Sequence, residues 1–94
     1  MAEEDGPVTE PAPQTADVLH DVAPPTVLSI AGSDPSGGAG IQADLATIAA
    51  FGCHGAAAIT AITVQDTTNV HSFRTLEAAE LDAQVRAVLA DIPV

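Results

Sequence analysis

A glycine-rich loop, Gly32–Gly40, holds four of the seven glycines of the 94-residue chain. The apolar run before it, Thr26–Ala31, is rich in β-branched residues and predicts a short buried strand. After the loop, apolar side chains recur at helical spacing between residues 39 and 50, at Ile41, Leu45, Ile48 and Ala49. Gly52 is suited to end that helix. Ligands of α/β proteins bind where the carboxyl end of a strand meets the start of a helix, so we expect the functional site at this loop.

Two nucleotide-binding motifs can be compared with this loop. The phosphate-binding loop of NTPases needs a lysine, whereas both basic residues of this chain are arginines. The dinucleotide pattern G-x-G-x-x-A fits residues 38–43, and Asp66 follows at about the distance of the acid that binds the ribose. Six residues nevertheless separate the predicted strand from Gly38, while that motif begins directly after its strand. A small dinucleotide-binding module therefore stays as an alternative.

The second half of the chain predicts one more strand and one more helix. Ala56–Val64 is a continuous apolar run with many β-branched residues, which favours a strand. Two strands joined by a helix make a right-handed βαβ unit with a parallel pair, so an α/β fold is expected. A short extended piece follows at Val70–Arg74. Leu76–Asp91 carries an apolar stripe that predicts a helix, with Thr75 as its N-cap.

The charge of the chain is strongly acidic, with thirteen Asp and Glu and a formal net charge of −11. Binding to nucleic acid or to an anionic membrane requires clustered basic residues, so neither partner is expected. No apolar run is long enough to span a bilayer. Residues 1–25 hold five of the seven prolines, which predicts a disordered acidic leader before a domain over residues 26–94. The leader lacks the features of a secretory signal, and the cytoplasm is the expected compartment.

The metal-binding residue types show no ligand spacing. The single cysteine, Cys53, can form no internal disulfide, and a zinc site needs several ligands at regular spacing. The three histidines, His20, His54 and His71, do not provide that spacing with it. No metal site is predicted.

The sequence VLSIAGSDPSGGAGIQADL at residues 27–45 resembles the first strand, glycine loop and first helix of the hydroxymethylpyrimidine/phosphomethylpyrimidine kinases of thiamine biosynthesis. The resemblance continues through FGCHG at residues 51–55 and ITAITVQDT at residues 59–67, and it covers about residues 26–94. These kinases belong to the ribokinase-like superfamily. The resemblance implies the first strand-helix-strand-helix portion of a ribokinase-like three-layer sandwich with a mostly parallel sheet.

The resemblance also assigns site residues. Gln65 matches the residue that hydrogen-bonds the aminopyrimidine, and a carboxamide offers donors and an acceptor in one plane for that task. Gly32 and Ala39 match loop positions that pack around the ring, and Val64 matches a position whose backbone bonds to it. Asp44 matches an acid near the hydroxymethyl end of the substrate. The residues alone leave open a structural role for Gln65 in a polar turn and for Asp44 as a hydrogen-bond partner on the helix.

The substrates that the resemblance implies are 4-amino-5-hydroxymethyl-2-methylpyrimidine and its monophosphate, with Mg-ATP as co-substrate and a homodimer for the intact enzyme. The family's ATP site and catalytic base lie in a later part of its fold. We therefore expect this chain to be the N-terminal, substrate-binding portion of such a kinase, without strong Mg-ATP binding and inactive alone. A stand-alone, non-enzymatic module that binds a pyrimidine or a protein partner is the alternative of another class.

Overall fold

The computed structural model of the chain describes residues 23–94. Its elements, in chain order, are β1 Thr26–Ala31, α1 Gly40–Ala50, β2 His54–Ile59, β3 Ala61–Gln65, β4 Val70–Thr75 and α2 Ala78–Asp91. The predicted disorder of residues 1–25 concerns mainly residues outside this described part. Among the described residues, no helix is both long enough and apolar enough to cross a membrane.

The first unit is the predicted strand-helix-strand with a parallel pair. β1 and β2 pair in parallel, from Thr26 opposite His54 to Ala31 opposite Ile59. α1 connects them and packs against both strands, and the backbone after it turns through Gly52 at φ 75°, as the sequence predicts. The fully buried apolar side chain of the described part is Ala58 on β2. The α/β class and the parallel pair are confirmed.

The apolar run Ala56–Val64 is two strands and not one, so that part of the prediction is wrong. The Thr60 N–H still donates to the Ala31 carbonyl at 2.9 Å, which continues the parallel ladder from β2. The Thr60 carbonyl instead accepts the Leu76 N–H at 2.9 Å. The chain bends there, because the Thr60 N–H binds the last residue of β1 whereas the Thr60 carbonyl binds the residue after β4.

After the bend, β3 leaves the first sheet and pairs antiparallel with β4, from Ala61 opposite Thr75 to Gln65 opposite Val70. The ladder is irregular between Val64 and Gln65. β4 is the extended piece expected at residues 70–74, one residue longer than predicted. Gln65, the last residue of β3, thus lies at the turn of the hairpin and close to the glycine loop.

The closing helix α2 is confirmed, but Thr75 is not its N-cap. Thr75 is the last residue of β4 and belongs to the hairpin ladder. Glu77 occupies the N-cap position, and the Glu80 carboxylate accepts a hydrogen bond from the Glu77 N–H at 2.9 Å. Glu77 and Glu80 thus form a capping box. It gives a partner to backbone N–H groups that the start of a helix would otherwise leave free.

The outer edge of β2 is satisfied by a side chain of α2. The Gln84 carboxamide accepts a hydrogen bond from the Ile59 N–H at 2.9 Å and donates one to the Ile59 carbonyl at 3.0 Å. A carboxamide can do both because it carries an acceptor and donors in one plane. Gln84 therefore replaces one residue of a neighbouring strand and holds α2 against β2 immediately before the bend at Thr60.

The glycine loop and α1 are in close backbone contact. Gly40 has φ 62°, and a Cβ atom there would collide with the Gly32 carbonyl oxygen. That oxygen accepts the Ile41 N–H at 2.9 Å. Glycine is required at position 40 both for the positive φ and for this approach.

Replacing Gln84 tests its role at the sheet edge. Gln84→Leu leaves both backbone groups of Ile59 without a protein partner, so we expect the free energy of unfolding to fall by about 1–3 kcal/mol. Amide hydrogen exchange at Ile59 should also accelerate. Arg86→Leu is the control, because it removes only the exposed ion pair of Arg86 with Asp82, a kind of pair that contributes about 0–1 kcal/mol. Equal losses in the two variants would contradict the assignment.

A pair of glycine substitutions tests the contact between the loop and α1. Gly40→Ala should destabilise the chain by about 1 kcal/mol or more beyond Gly37→Ala, as measured by urea unfolding. Both positions have positive φ, but nothing lies within 4 Å of a Cβ at Gly37. The control therefore carries the backbone strain without the collision. Equal destabilisation would show that Gly32 can move aside freely.

Candidate functional site

A cavity of about 240 Å³ lies between the glycine loop and the end of β3. Its lining comes from both segments: Asp34, Ser36, Gly38, Ala39, Gln65, Asp66 and Thr67. Four of these residues belong to the loop and three to the end of β3 and the turn after it. After the bend at Thr60, β3 runs alongside the loop, where Ala61 and Thr63 hydrogen-bond Ser33.

Hydrogen bonds from Ser33 fix the loop to β3. The Ser33 N–H donates to the Ala61 carbonyl at 2.9 Å, and the Ser33 hydroxyl accepts the Thr63 N–H at 3.1 Å. In return, the Thr63 hydroxyl donates to the Ser33 carbonyl at 2.7 Å. Ser33 precedes Asp34 in the loop and Thr63 lies two residues before Gln65. These three bonds therefore set the distance across the cavity.

Asp34 is a buried residue of the loop, and its hydrogen bonds organise the loop. Its residue is only 2% exposed, and its carboxylate accepts the Ser36 hydroxyl at 2.7 Å and the Ser36 N–H at 2.9 Å. The Ser36 hydroxyl holds the pKa of the Asp34 carboxyl below its ordinary value, and the backbone N–H groups of Ser36, Ala39 and Gly38 act in the same direction against the effect of desolvation. Asp34 is therefore a buried carboxylate at the start of α1.

The Asp34 backbone is also held. Its N–H donates to the Gln42 side-chain oxygen at 2.7 Å, and its carbonyl accepts the Gly37 N–H at 2.9 Å. Gln42 lies in the first turn of α1, so the helix holds the loop in addition to β3. The loop wall of the cavity is therefore held by hydrogen bonds within the chain.

Asp66 forms the other wall and orders the turn between β3 and β4. One carboxylate oxygen accepts the N–H groups of Thr68 and Asn69, each at 2.8 Å, and the other lies 2.7 Å from a ring nitrogen of His71. The His71 contact, followed by the bonds from the turn, lowers the pKa of the Asp66 carboxyl far below its ordinary value. Asp66 thus stays ionised at neutral pH.

The structure brings two of the expected site residues together at this cavity. Ala39, the residue before α1, and Gln65, the last residue of β3, both line it. The other two expected residues of these segments, Gly32 at the start of the loop and Val64 on β3, do not line the cavity. The Gly32 carbonyl accepts the Ile41 N–H at the start of α1, and Val64 has an exposed side chain beside the irregular point of the ladder.

Asp44 lies at a different place. It lines a second hollow of about 380 Å³ along β1 and α1, and its carboxylate accepts the Ser29 hydroxyl at 2.8 Å. The sequence places Asp44 at the margin of the apolar stripe, and Ser29 is the hydrogen-bond partner found there. Its role towards a substrate stays a prediction.

Five lining residues are not among the site residues that the resemblance assigns: Asp34, Ser36, Gly38, Asp66 and Thr67. A signal for Asp34 exists in the sequence, because Asp followed two positions later by Ser is typical of a turn closed by the carboxylate. Thr67 has no such signal, since its place depends on the hairpin. Among residues 23–94, no three His, Cys, Asp or Glu side chains are grouped so that they could hold a metal ion.

The comparisons with known proteins agree with one another. A family model described as phosphomethylpyrimidine kinase matches residues 34–94. The hydroxymethylpyrimidine/phosphomethylpyrimidine kinase of Mycobacterium leprae is 48% identical over 71 residues, which are 76% of this chain and 25% of that protein. This chain thus spans about a quarter of the length of the curated relatives it matches, as expected for an N-terminal portion.

Solved structures give the same result for the fold. The crystal structure of phosphomethylpyrimidine kinase from Clostridium difficile 630 is 54% identical, with a TM-score of 0.68 over 73% of this chain and 31% of that one. Pyridoxal kinase from Staphylococcus aureus, solved with AMP-PCP and pyridoxal, is 38% identical, with a TM-score of 0.66 over 77% of this chain and 27% of that one. The fold is therefore a portion of a ribokinase-like vitamin kinase.

The family model covers more than half of the chain, and its range contains the glycine loop from Asp34 onwards, the bend at Thr60 and the hairpin that returns Gln65 to the loop. The structure builds the cavity from these same segments. The chain belongs to the phosphomethylpyrimidine kinase family.

Proposed function

We propose that this chain forms the pyrimidine-binding part of a kinase that phosphorylates hydroxymethylpyrimidine and its monophosphate in thiamine biosynthesis. The observation that carries the proposal is the cavity in which Ala39 of the glycine loop lies across from Gln65 at the end of β3. Family membership supports the substrate class, and the cavity supplies a place for the ring.

The chemistry of the lining suits an aminopyrimidine. The Gln65 carboxamide offers a donor and an acceptor in one plane, which match the amino group and the adjacent ring nitrogen of such a ring. Ala39 and Gly38 present backbone and at most a methyl group, so a flat ring can approach the loop closely. Among residues 23–94, the Gln65 side chain takes part in no hydrogen bond. We therefore assign its carboxamide to ring recognition.

The remaining features of the kinase are proposed for the larger protein to which such a portion belongs. Related structures were solved with the ATP analogue AMP-PCP, and we propose Mg-ATP as the phosphoryl donor there. Phosphoryl transfer depends on positioning and on electrostatic stabilisation of the transferred group. We propose that the described residues contribute ring binding to that reaction, and that the full kinase acts in the cytoplasm as a homodimer.

Substitution of Gln65 tests the proposal. Gln65→Leu should weaken binding of hydroxymethylpyrimidine to this chain by about tenfold to a hundredfold, since two hydrogen bonds of about 0.5–1.5 kcal/mol each are lost. Isothermal titration calorimetry measures the change. Gln65→Glu keeps the shape and an acceptor but lacks the amide donor, so it should also bind more weakly than the wild type.

Ser72→Ala is the matched control for that experiment. Ser72 is exposed on β4, opposite Val64, and does not line the cavity. Its substitution should leave the affinity unchanged. Unchanged affinity in Gln65→Leu, or no binding by the wild type, would contradict the proposal. Binding of a nicotinamide dinucleotide in place of the pyrimidine would favour the dinucleotide alternative.

A further inference from the structure

The irregular point of the hairpin ladder leaves one residue of β4 without a partner on β3. Val64 lies opposite Ser72. Gln65, the next residue of β3, lies opposite Val70 and not opposite His71. An extra residue of this kind forms a β-bulge, and bulges beside functional sites turn a side chain in a direction that regular pairing would not allow. The bulged residue, His71, thus lies beside the end of β3 that carries Gln65.

The His71 ring contacts the turn that joins β3 to β4. Its Nε2 atom lies 2.7 Å from one carboxylate oxygen of Asp66. The other oxygen of that carboxylate accepts the N–H groups of Thr68 and Asn69 and the Thr68 hydroxyl, each at 2.8 Å. An ionised carboxylate only accepts hydrogen bonds, so Nε2 of His71 must carry the hydrogen. Asp66 therefore connects β4 to the turn through both of its oxygens.

This connection lies directly beside the cavity. Asp66 follows Gln65 in the chain, and both residues line the cavity together with Thr67. The Asp66 N–H also donates to the Asn69 carbonyl at 3.0 Å, which closes the turn. The contact with His71 fixes the second oxygen of the Asp66 carboxylate, so the side chain that orders the turn is itself held in one orientation.

We propose that His71 is a positioning residue for pyrimidine binding, because its contact with Asp66 holds the turn after β3, and with it Gln65, in the arrangement that receives the ring. This inference rests on the proposed function and adds to it a residue that does not itself line the cavity. The side chains of His71 and Asp66 are both about half exposed, and such a pair adds little to global stability. Its effect is local: a turn that is already ordered does not have to be ordered by the ligand on binding.

Calorimetric titration with hydroxymethylpyrimidine tests the role of the His71 ring. His71→Ala should weaken binding by about threefold to tenfold, which corresponds to ordering one additional side chain on binding. His71→Gln should restore most of the affinity, because the carboxamide can donate to the Asp66 carboxylate in place of Nε2. His71→Met has a similar length but no donor, so it should bind as weakly as His71→Ala. Rescue by glutamine alone distinguishes the hydrogen bond from a role of the side chain in packing.

A double-mutant cycle tests whether His71 acts through Asp66. In an Asp66→Ala background, His71→Ala should have no further effect on the affinity, because the partner of the ring is already absent. His54→Ala is the matched control, since His54 is an exposed histidine on β2 that does not line the cavity. Its affinity should equal that of the wild type. Circular dichroism of each variant verifies that the fold is retained.

Three results would overturn the role of His71 while the proposed function stands. They are wild-type affinity in His71→Ala, binding by His71→Gln that is as weak as that of His71→Ala, and an effect of His71→Ala that is the same with and without the Asp66 carboxylate. Absence of binding by the wild-type chain would overturn the proposed function and the role of His71 with it.

Discussion

The three hydrogen bonds between Ser33 and β3 are the constraint on which the site depends. They join the first residues of the glycine loop to Ala61 and Thr63, and so they fix Gln65 in space relative to Ala39. Apolar packing alone would hold these segments weakly, because Ala58 is the fully buried apolar side chain of the described part. Each bond contributes only about 0.5–1.5 kcal/mol, but each is also directional. The geometry of the cavity is therefore set by polar contacts.

The same network determines which groups of the cavity are already engaged within the chain. The backbone N–H groups of a glycine loop at the start of a helix bind anions when they have no other partner. In this loop the Asp34 carboxylate accepts the Ser36 N–H. Asp66 contributes a second carboxylate on the other side of the cavity. What remains open to a ligand is the Gln65 carboxamide and a wall of backbone and small side chains. The loop is thus a structural support of the cavity, and the Asp34 carboxylate within it is compensated by the Ser36 N–H and hydroxyl.

Much of the fold follows from local sequence patterns. The first strand, α1 and α2 are visible in apolar periodicity and in the glycines at the ends of α1, and the parallel pair follows from the order of the elements. The bend at Thr60 is not visible, because no Gly or Pro interrupts the apolar run and its cause lies in distant partners, Ala31 and Leu76. The N-cap of α2 is Glu77 and not the predicted Thr75 for a related reason, because Thr75 pairs with Ala61 in the hairpin. Of the site, Ala39 and Gln65 were named through a family resemblance, whereas Thr67 depends on the hairpin and could not be.

The central claim is that a pyrimidine ring binds between the glycine loop and the end of β3. Titration of the ¹⁵N-labelled chain with hydroxymethylpyrimidine, followed by two-dimensional NMR, tests it most directly. The claim requires saturable shifts of the Ala39 backbone amide and the Gln65 side-chain amide, with the amides of α2 unaffected. Shifts confined to the hollow between β1 and α1 near Asp44, or no saturable shift at all, would contradict it.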